Sequence, residues 1–284
     1  MNDNNHLHEF YPAALTISGS DSGGSAGIQA DLRTFNAYGV FGCSAITAVV
    51  SQNPRQTLRT DLTDPDSVAA QIDACMQEIN IHFAKCGMLF SDGIIRTVAA
   101  RISEYNTSLI CDPVIFTASG REMPDKSAFT LLCDLIFPLS SWITPAAAEA
   151  EIICGKKISS FDDMLKSAAA ISAEFGTSVI IRGGNIATGK TAADAVCHQG
   201  RLYKLYSPRS KRAGEAAAHG AGCTFSAALT AGAAMDFQWK QALCEAKAFV
   251  HGSMEETVHI GDNSDVMYPP TVDNIRNIHL EEIK

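Results

Sequence analysis

The sequence predicts an α/β fold: one central, mainly parallel sheet with helices on both faces. Three observations lead there. Short apolar runs alternate with helical patterns from one end of the 284 residues to the other. The helical patterns between them are about ten to fifteen residues long, the length that carries a chain across a sheet to a parallel neighbour. No long linker and no repeat divides the chain, so right-handed crossovers within one domain are expected.

Ala13–Ser18 reads as a buried strand running into the glycine-rich stretch Gly19–Gly27, with a helix from about Ile28 to Tyr38. Ala45–Ser51 reads as the second strand. Asp66–Ile79 has helical spacing, with Val68, Ile72, Cys75, Met76 and Ile79 on one face. Thr63-Asp64-Pro65 before it carries N-cap chemistry and an early proline. The alternation continues with a strand at His82–Cys86, a helix at Ser91–Tyr105 and strands at Ser108–Cys111 and Trp142–Thr144. Helices are expected over Ala146–Cys154 and Phe161–Phe175, and a strand over Ser178–Arg182. Thr191–His198 and Leu202–Tyr206 flank the turn His198-Gln199-Gly200 as a hairpin. Gly222–Met235 and Trp239–Glu256 read as closing helices. Residues 1–11 read as a polar tail, 12–260 as the domain and 261–284 as a second tail.

Composition narrows the function. Hydrophobic residues are 46% of the chain and charged residues 19%, ample for a core. The net charge of -9 argues against a nucleic-acid surface. No apolar window has the roughly 18 residues of a membrane span, and the polar N-terminus has no signal-peptide pattern. The nine cysteines are scattered, odd in number and without a C-x-x-C pair, which fits reduced thiols in the cytoplasm.

Three segments can bring backbone against a ligand. Gly19–Gly27 lies between a strand and a helix but lacks the register of a dinucleotide fingerprint. Gly184-Asn185-Ile186-Ala187-Thr188-Gly189-Lys190-Thr191 matches a P-loop as a string. A P-loop needs a helix to start at Lys190-Thr191, and the residues after Thr191 read as strand, turn, strand, so the match is taken as coincidence and Lys190 as an exposed turn residue. His219-Gly220-Ala221-Gly222-Cys223-Thr224 leads into a long helix rich in small residues, where free amides and the helix dipole suit a phosphate.

Ser18-Gly19-Ser20-Asp21-Ser22-Gly23-Gly24-Ser25-Ala26-Gly27-Ile28-Gln29-Ala30-Asp31-Leu32 opens a set of motifs that resembles the hydroxymethylpyrimidine/phosphomethylpyrimidine kinases of the ribokinase-like fold. Ala45–Asn53, Lys85-Cys86-Gly87-Met88-Leu89, Asp112-Pro113-Val114, Thr144-Pro145 and Gly220–Thr224 come after it in that family's order. The resemblance covers about Ala13 to Val258. It implies phosphorylation of 4-amino-5-hydroxymethyl-2-methylpyrimidine and of its monophosphate by ATP with Mg2+, in thiamine biosynthesis, by a homodimer. By position it implies that Asp31 and Gln52 bind the aminopyrimidine, with Gly19 and Met88 shaping the pocket. Gly220, Ala221 and Gly222 would cradle the transferring phosphate, and Cys223 would assist deprotonation of the alcohol or position it. Glu149 and Asp112 would serve Mg2+, and Thr144, Arg182 and Gly183 the nucleotide.

The chain departs from the family at the nucleotide end. Ala146 replaces an asparagine, Ala217-Ala218 replace Asn-Thr, and Ala118 replaces a lysine; Arg182 stands where lysine is usual. Two alternatives stay open: a pyridoxal or pyridoxine kinase of the same fold, and a weakened or non-catalytic pyrimidine-binding homologue.

Overall fold

Ten strands form a single sheet in the order β12-β9-β8-β7-β6-β5-β4-β1-β2-β3. This is a computed structural model that describes residues 11–115, 126–184, 186, 189–210, 219–262, 264–270 and 275–283. Six strands are parallel and central: β1 (Ala13–Asp21), β2 (Phe41–Asn53), β4 (Phe83–Cys86), β5 (Ser108–Cys111), β6 (Ser140–Ile143) and β7 (Ser178–Ile181). Antiparallel strands flank them: β3 (Gln56–Leu62) beside β2, and β8 (Thr191–His198), β9 (Arg201–Pro208) and β12 (His279–Ile283) beyond β7. A separate ribbon pairs β10 (Val258–Gly261) with β11 (Ser264–Val266).

The helices divide between the two faces because successive strand residues point opposite ways. Leu15, Ile17, Leu109 and Cys111 join one core with Ile72 of α2 (Pro65–Met76), Ile94 of α3 (Asp92–Glu104), Ala128 of α4 (Lys126–Leu131), Ala150 of α5 (Ala147–Cys154) and Ile171 of α6 (Phe161–Phe175). Ala14, on the other face, meets Phe35 of α1 (Gly27–Ala37) and Ala227 of α7 (Ala221–Ala234). Ile110, beside Leu109, packs with Phe225 of α7 and Leu243 of α8 (Trp239–Glu255). Nine consecutive residues of α7, Thr224–Gly232, are buried. All but Phe225 and Leu229 have small side chains, which let the helix lie close to the sheet, α1 and α8 together.

Local signals account for the helix boundaries. Asp64 accepts N–H bonds from Asp66 and Ser67 ahead of Pro65, the cap expected from sequence. Ser160 and Asp163 form a capping box, and Gly176 ends α6 in the left-handed conformation. Thr191 opens a strand rather than a helix and Lys190 is exposed, so the P-loop string is coincidental.

Several elements differ from expectation, the ribbon of β10 and β11 among them. β3 and the helical stretch from Lys126 through Ile136 were not foreseen. Residues 261–284 are not simply a tail: His279–Ile283 extends the sheet antiparallel to β9, and Val266, Met267 and Ile278 are buried. Ala118, Ala217 and Ala218 lie outside the described residues.

Candidate active site

The carboxyl ends of β1, β4, β5 and β7 open on a cleft of about 210 Å³, the usual ligand position in an α/β sheet. β1 and the turn after it contribute Ser18, Gly19 and Asp21, and α1 contributes Gly27. β2 and β3 form a side wall with Val50, Gln52, Thr57 and Thr60. Met88, Asp112 and Val114 lie just past the central strands, Glu149 comes from α5, and Arg182 from the end of β7. His219, Gly220, Gly222 and Cys223 close the cleft at the start of α7.

The glycine-rich loop is held by its own polar groups. Asp21 is buried, and its carboxylate accepts N–H bonds from Gly23, Ser25 and Ala26 at 2.7, 3.0 and 2.8 Å. Gln29 accepts from the Asp21 N–H and donates to Ser20 Oγ, both at 2.8 Å. A Cβ at Gly27 would overlap the Gly19 carbonyl oxygen, so the loop closes only around glycine. Gly19 in turn faces the Met88 Cε, where a Cβ would sit at 2.7 Å.

The start of α7 has the form expected of an anion cradle. Gly220 is its N-cap at φ +84° and offers no side-chain cap. A Cβ there would overlap the Ser25 carbonyl oxygen. The amides of Ala221, Gly222 and Cys223 have no acceptor within the helix. A Cβ on Gly222 would overlap Arg182 Nη1, so the guanidinium lies directly against this turn. His219 Nε2 is buried without a hydrogen-bond partner among the described residues. Burial keeps the His219 imidazole below its ordinary pKa despite Asp21, so the ring is neutral near pH 7.

Arg182 links the acids. Its backbone bridges to Ala146, and its guanidinium donates to the Thr144 carbonyl at 2.9 Å and to Asp112 Oδ1 at 3.0 Å. Glu149 Oε2 lies 3.6 Å from it. Glu149 accepts from the N–H groups of Ile115 and Ala146 at 3.1 and 2.7 Å. Burial pushes its carboxyl up to about 7 against the pull of Arg182, with Asp112 adding to the rise. Among the described residues no cluster of three or more His, Cys, Asp and Glu side chains forms a metal cage. Two hard carboxylates on a cleft wall do fit Mg2+, which keeps much of its water.

Most of the residues expected from sequence meet here: Gly19, Gln52, Met88, Asp112, Glu149, Arg182, Gly220, Gly222 and Cys223 line the cleft and Ala221 sits within the cradle. Asp31 does not line it. Its carboxylate is fully buried, takes both oxygens to Lys85 Nζ at 2.8 Å and accepts from Thr16 Oγ1 at 2.6 Å. Burial pulls the Lys85 pKa down, but the charges around it, Asp31 foremost, outweigh burial and hold it above the ordinary lysine range. Thr144 is also buried, and its carbonyl positions Arg182. The Gly183 N–H is already committed to Asp194 Oδ1 at 2.9 Å, which leaves it no bond for a nucleotide. Cys223 is pushed up to about 11 by burial although Lys85 works against it, so in the ligand-free protein it is a neutral thiol and not a thiolate.

Sequence reasoning assigned no role to Lys85, Thr57, Thr60 or His219. A single cation inside the apolar strand Phe83–Cys86 was the available signal for Lys85. The threonines belong to a strand that was not foreseen.

The phosphomethylpyrimidine kinase family profile matches residues 21–267. The chain belongs to the phosphomethylpyrimidine kinase family. Its similarity to the hydroxymethylpyrimidine/phosphomethylpyrimidine kinase of Bacillus subtilis is 38% identity over 251 residues, 87% of this chain and 91% of that protein. The protein of the same description from Rhizobium meliloti is 35% identical, over 85% of this chain and 90% of its own length. Among solved structures, the ADP complex of Bacillus subtilis pyridoxal kinase superposes with a TM-score of 0.84 at 32% identity, covering 91% of this chain and 97% of that one. The fold of this family member is therefore ribokinase-like, as expected.

Proposed function

We propose that this family member phosphorylates the hydroxymethyl group of 4-amino-5-hydroxymethyl-2-methylpyrimidine, and then the resulting monophosphate, with MgATP, in thiamine biosynthesis. One observation carries the reading. A single cleft joins a wall suited to a small polar ring, made by Gln52, Val50, Met88 and Gly19, to an uncapped helix start flanked by Arg182, Asp112 and Glu149. The description shared by the Bacillus and Rhizobium relatives points the same way.

Gln52 binds the ring through its carboxamide while Met88 and Val50 pack on its apolar surface. The amides of Ala221, Gly222 and Cys223 face the transferring phosphate, where fixed dipoles act on charge as it develops. Arg182 supplies a cation to the same phosphate oxygens. Asp112 and Glu149 would hold Mg2+ through water; when bound, the ion neutralises charge on the phosphate oxygens. Cys223 is a positioning group for the alcohol in this reading, because a thiol at about 11 is a poor base near neutrality. The pyrimidine role implied for Asp31 is replaced by a structural one beneath the cleft.

ADP release with the pyrimidine alcohol, its monophosphate and pyridoxal, each offered separately, tests the reading. Turnover of the first two with pyridoxal at least tenfold poorer in kcat/KM supports it. The likeness to a pyridoxal kinase structure favours a second reading, which the reverse ranking would establish. Binding without ADP formation would identify a non-catalytic homologue. A homodimer in the cytoplasm belongs to the proposal, and light scattering checks the first part. No helix among the described residues is long and apolar enough to cross a membrane, and all nine cysteines are free.

A further inference from the structure

We propose that Thr57 is a positioning residue for substrate binding: its hydroxyl holds the Gln52 carboxamide at one place on the cleft wall, aligned with the edge of a polar heteroaromatic ring. The inference deepens the reading of the cleft as a site for a heteroaromatic alcohol and rests on it.

The geometry begins with a bulge. Along β2 and β3, Ser51 lies opposite Arg59 and Gln52 lies opposite Thr57, so Leu58 is the extra residue and turns outward, 69% exposed. A bulge beside a site re-aims a side chain. Here it makes Thr57 the direct cross-strand partner of Gln52, and both line the cleft.

Gln52 is then fixed at both ends. The Ser22 hydroxyl accepts from the Gln52 N–H at 2.9 Å and donates to the Gln52 carbonyl at 2.8 Å, tying its backbone to the glycine-rich loop. Thr57 Oγ1 donates to Gln52 Oε1 at 3.0 Å. A carboxamide has an acceptor end and a donor end of nearly the same shape, so an unrestrained one can offer either face to a ligand. A hydroxyl can meet either end, so what Thr57 fixes is the place and plane of the carboxamide. Threonine suits the task because branching at Cβ restricts its χ1 and keeps the hydroxyl in place. Held there, Gln52 offers N–H bonds to a ring nitrogen and the second lone pair of its oxygen to an exocyclic amine.

The test is a comparison of wild type, Thr57→Val, Thr57→Ser, Gln52→Ala and the Thr57→Val/Gln52→Ala double variant. Valine keeps the branched shape and the strand preference, and serine keeps the hydroxyl. Calorimetry without nucleotide reads Kd for 4-amino-5-hydroxymethyl-2-methylpyrimidine, and ADP release reads kcat and KM. Thr57→Val is expected to raise Kd and KM roughly tenfold, the scale of one neutral hydrogen bond, with kcat within about twofold. Thr57→Ser restores most of the affinity. In the Gln52→Ala background, Thr57→Val has no further effect. Unchanged Kd in Thr57→Val overturns the proposal, as does a loss of the same size without Gln52. A wild type that binds the alcohol without releasing ADP overturns the kinase reading and leaves the Kd comparison to decide this one. A wild type that does not bind it overturns both.

Discussion

Cys223 and Glu149 are where residue chemistry diverges most from what their sequence positions imply. A thiol held at about 11 by burial has almost no thiolate at neutral pH, so Cys223→Ala should cost kcat tenfold or less. A true general base would cost on the order of 10²–10⁴. The pH profile of kcat checks the point: no limb below about pH 9 should vanish with the substitution. Glu149 makes the complementary prediction. Its ligand-free carboxyl keeps a proton up to about pH 7, so Mg2+ must displace that proton below this pH. Half-saturation by Mg2+ at fixed ATP should therefore rise as pH falls from 8 to 6, approaching tenfold per unit below 7, with saturation restored by more metal. Glu149→Gln should flatten that dependence. Gln52 and Met88 could be placed from sequence because they sit in motifs whose order is characteristic. The burial of Asp31 was not legible, because an acid on a helix does not reveal the lysine it will meet 54 positions later, once β4 lies beside β1.

At the scale of elements, the first turn of α7 is the decisive piece. Gly220→Ala places a methyl against the Ser25 carbonyl and strains a left-handed φ of +84°, so the turn must move off the loop. Turnover should fall roughly a hundredfold, the scale of losing one aligned oxyanion donor, while calorimetric binding of the pyrimidine stays within about threefold. The parallel strands were legible because each is a short apolar run between helices, and α2 and α6 because capping residues mark their starts. β3 was not, since its exposed residues carry no apolar alternation and only its pairing with β2 defines it. β12 was hidden for the same reason: His279–Ile283 is mostly charged or exposed, and the ladder to β9 makes it a strand. A chain ending at Ile278, which keeps that buried side chain, should lose on the order of 2 kcal/mol, several net hydrogen bonds less the entropy regained. Urea unfolding reads that loss, and kcat should hold within about twofold because the strand is at the far edge of the sheet.

For the whole molecule, the Asp31–Lys85 pair joins α1 to β4 beneath the cleft. Removing one member leaves the other charged and buried, so Lys85→Met should cost about 3–5 kcal/mol in urea unfolding. Lys85→Met with Asp31→Leu should recover most of it. The architecture was readable from the alternation of runs, whereas this pair was not, because partners distant in the chain leave no local pattern. The cleft likewise gathers its walls from Ser18 to Cys223. Phe35 and Ala14 have their cover from Ala227 of α7, 192 and 213 residues further on. On the ribosome, a growing chain therefore carries a bare apolar face through most of its synthesis, and the glycine-rich start of α7 emerges late. Arrest peptides that report force at successive lengths should register docking only after Ala234 has left the exit tunnel.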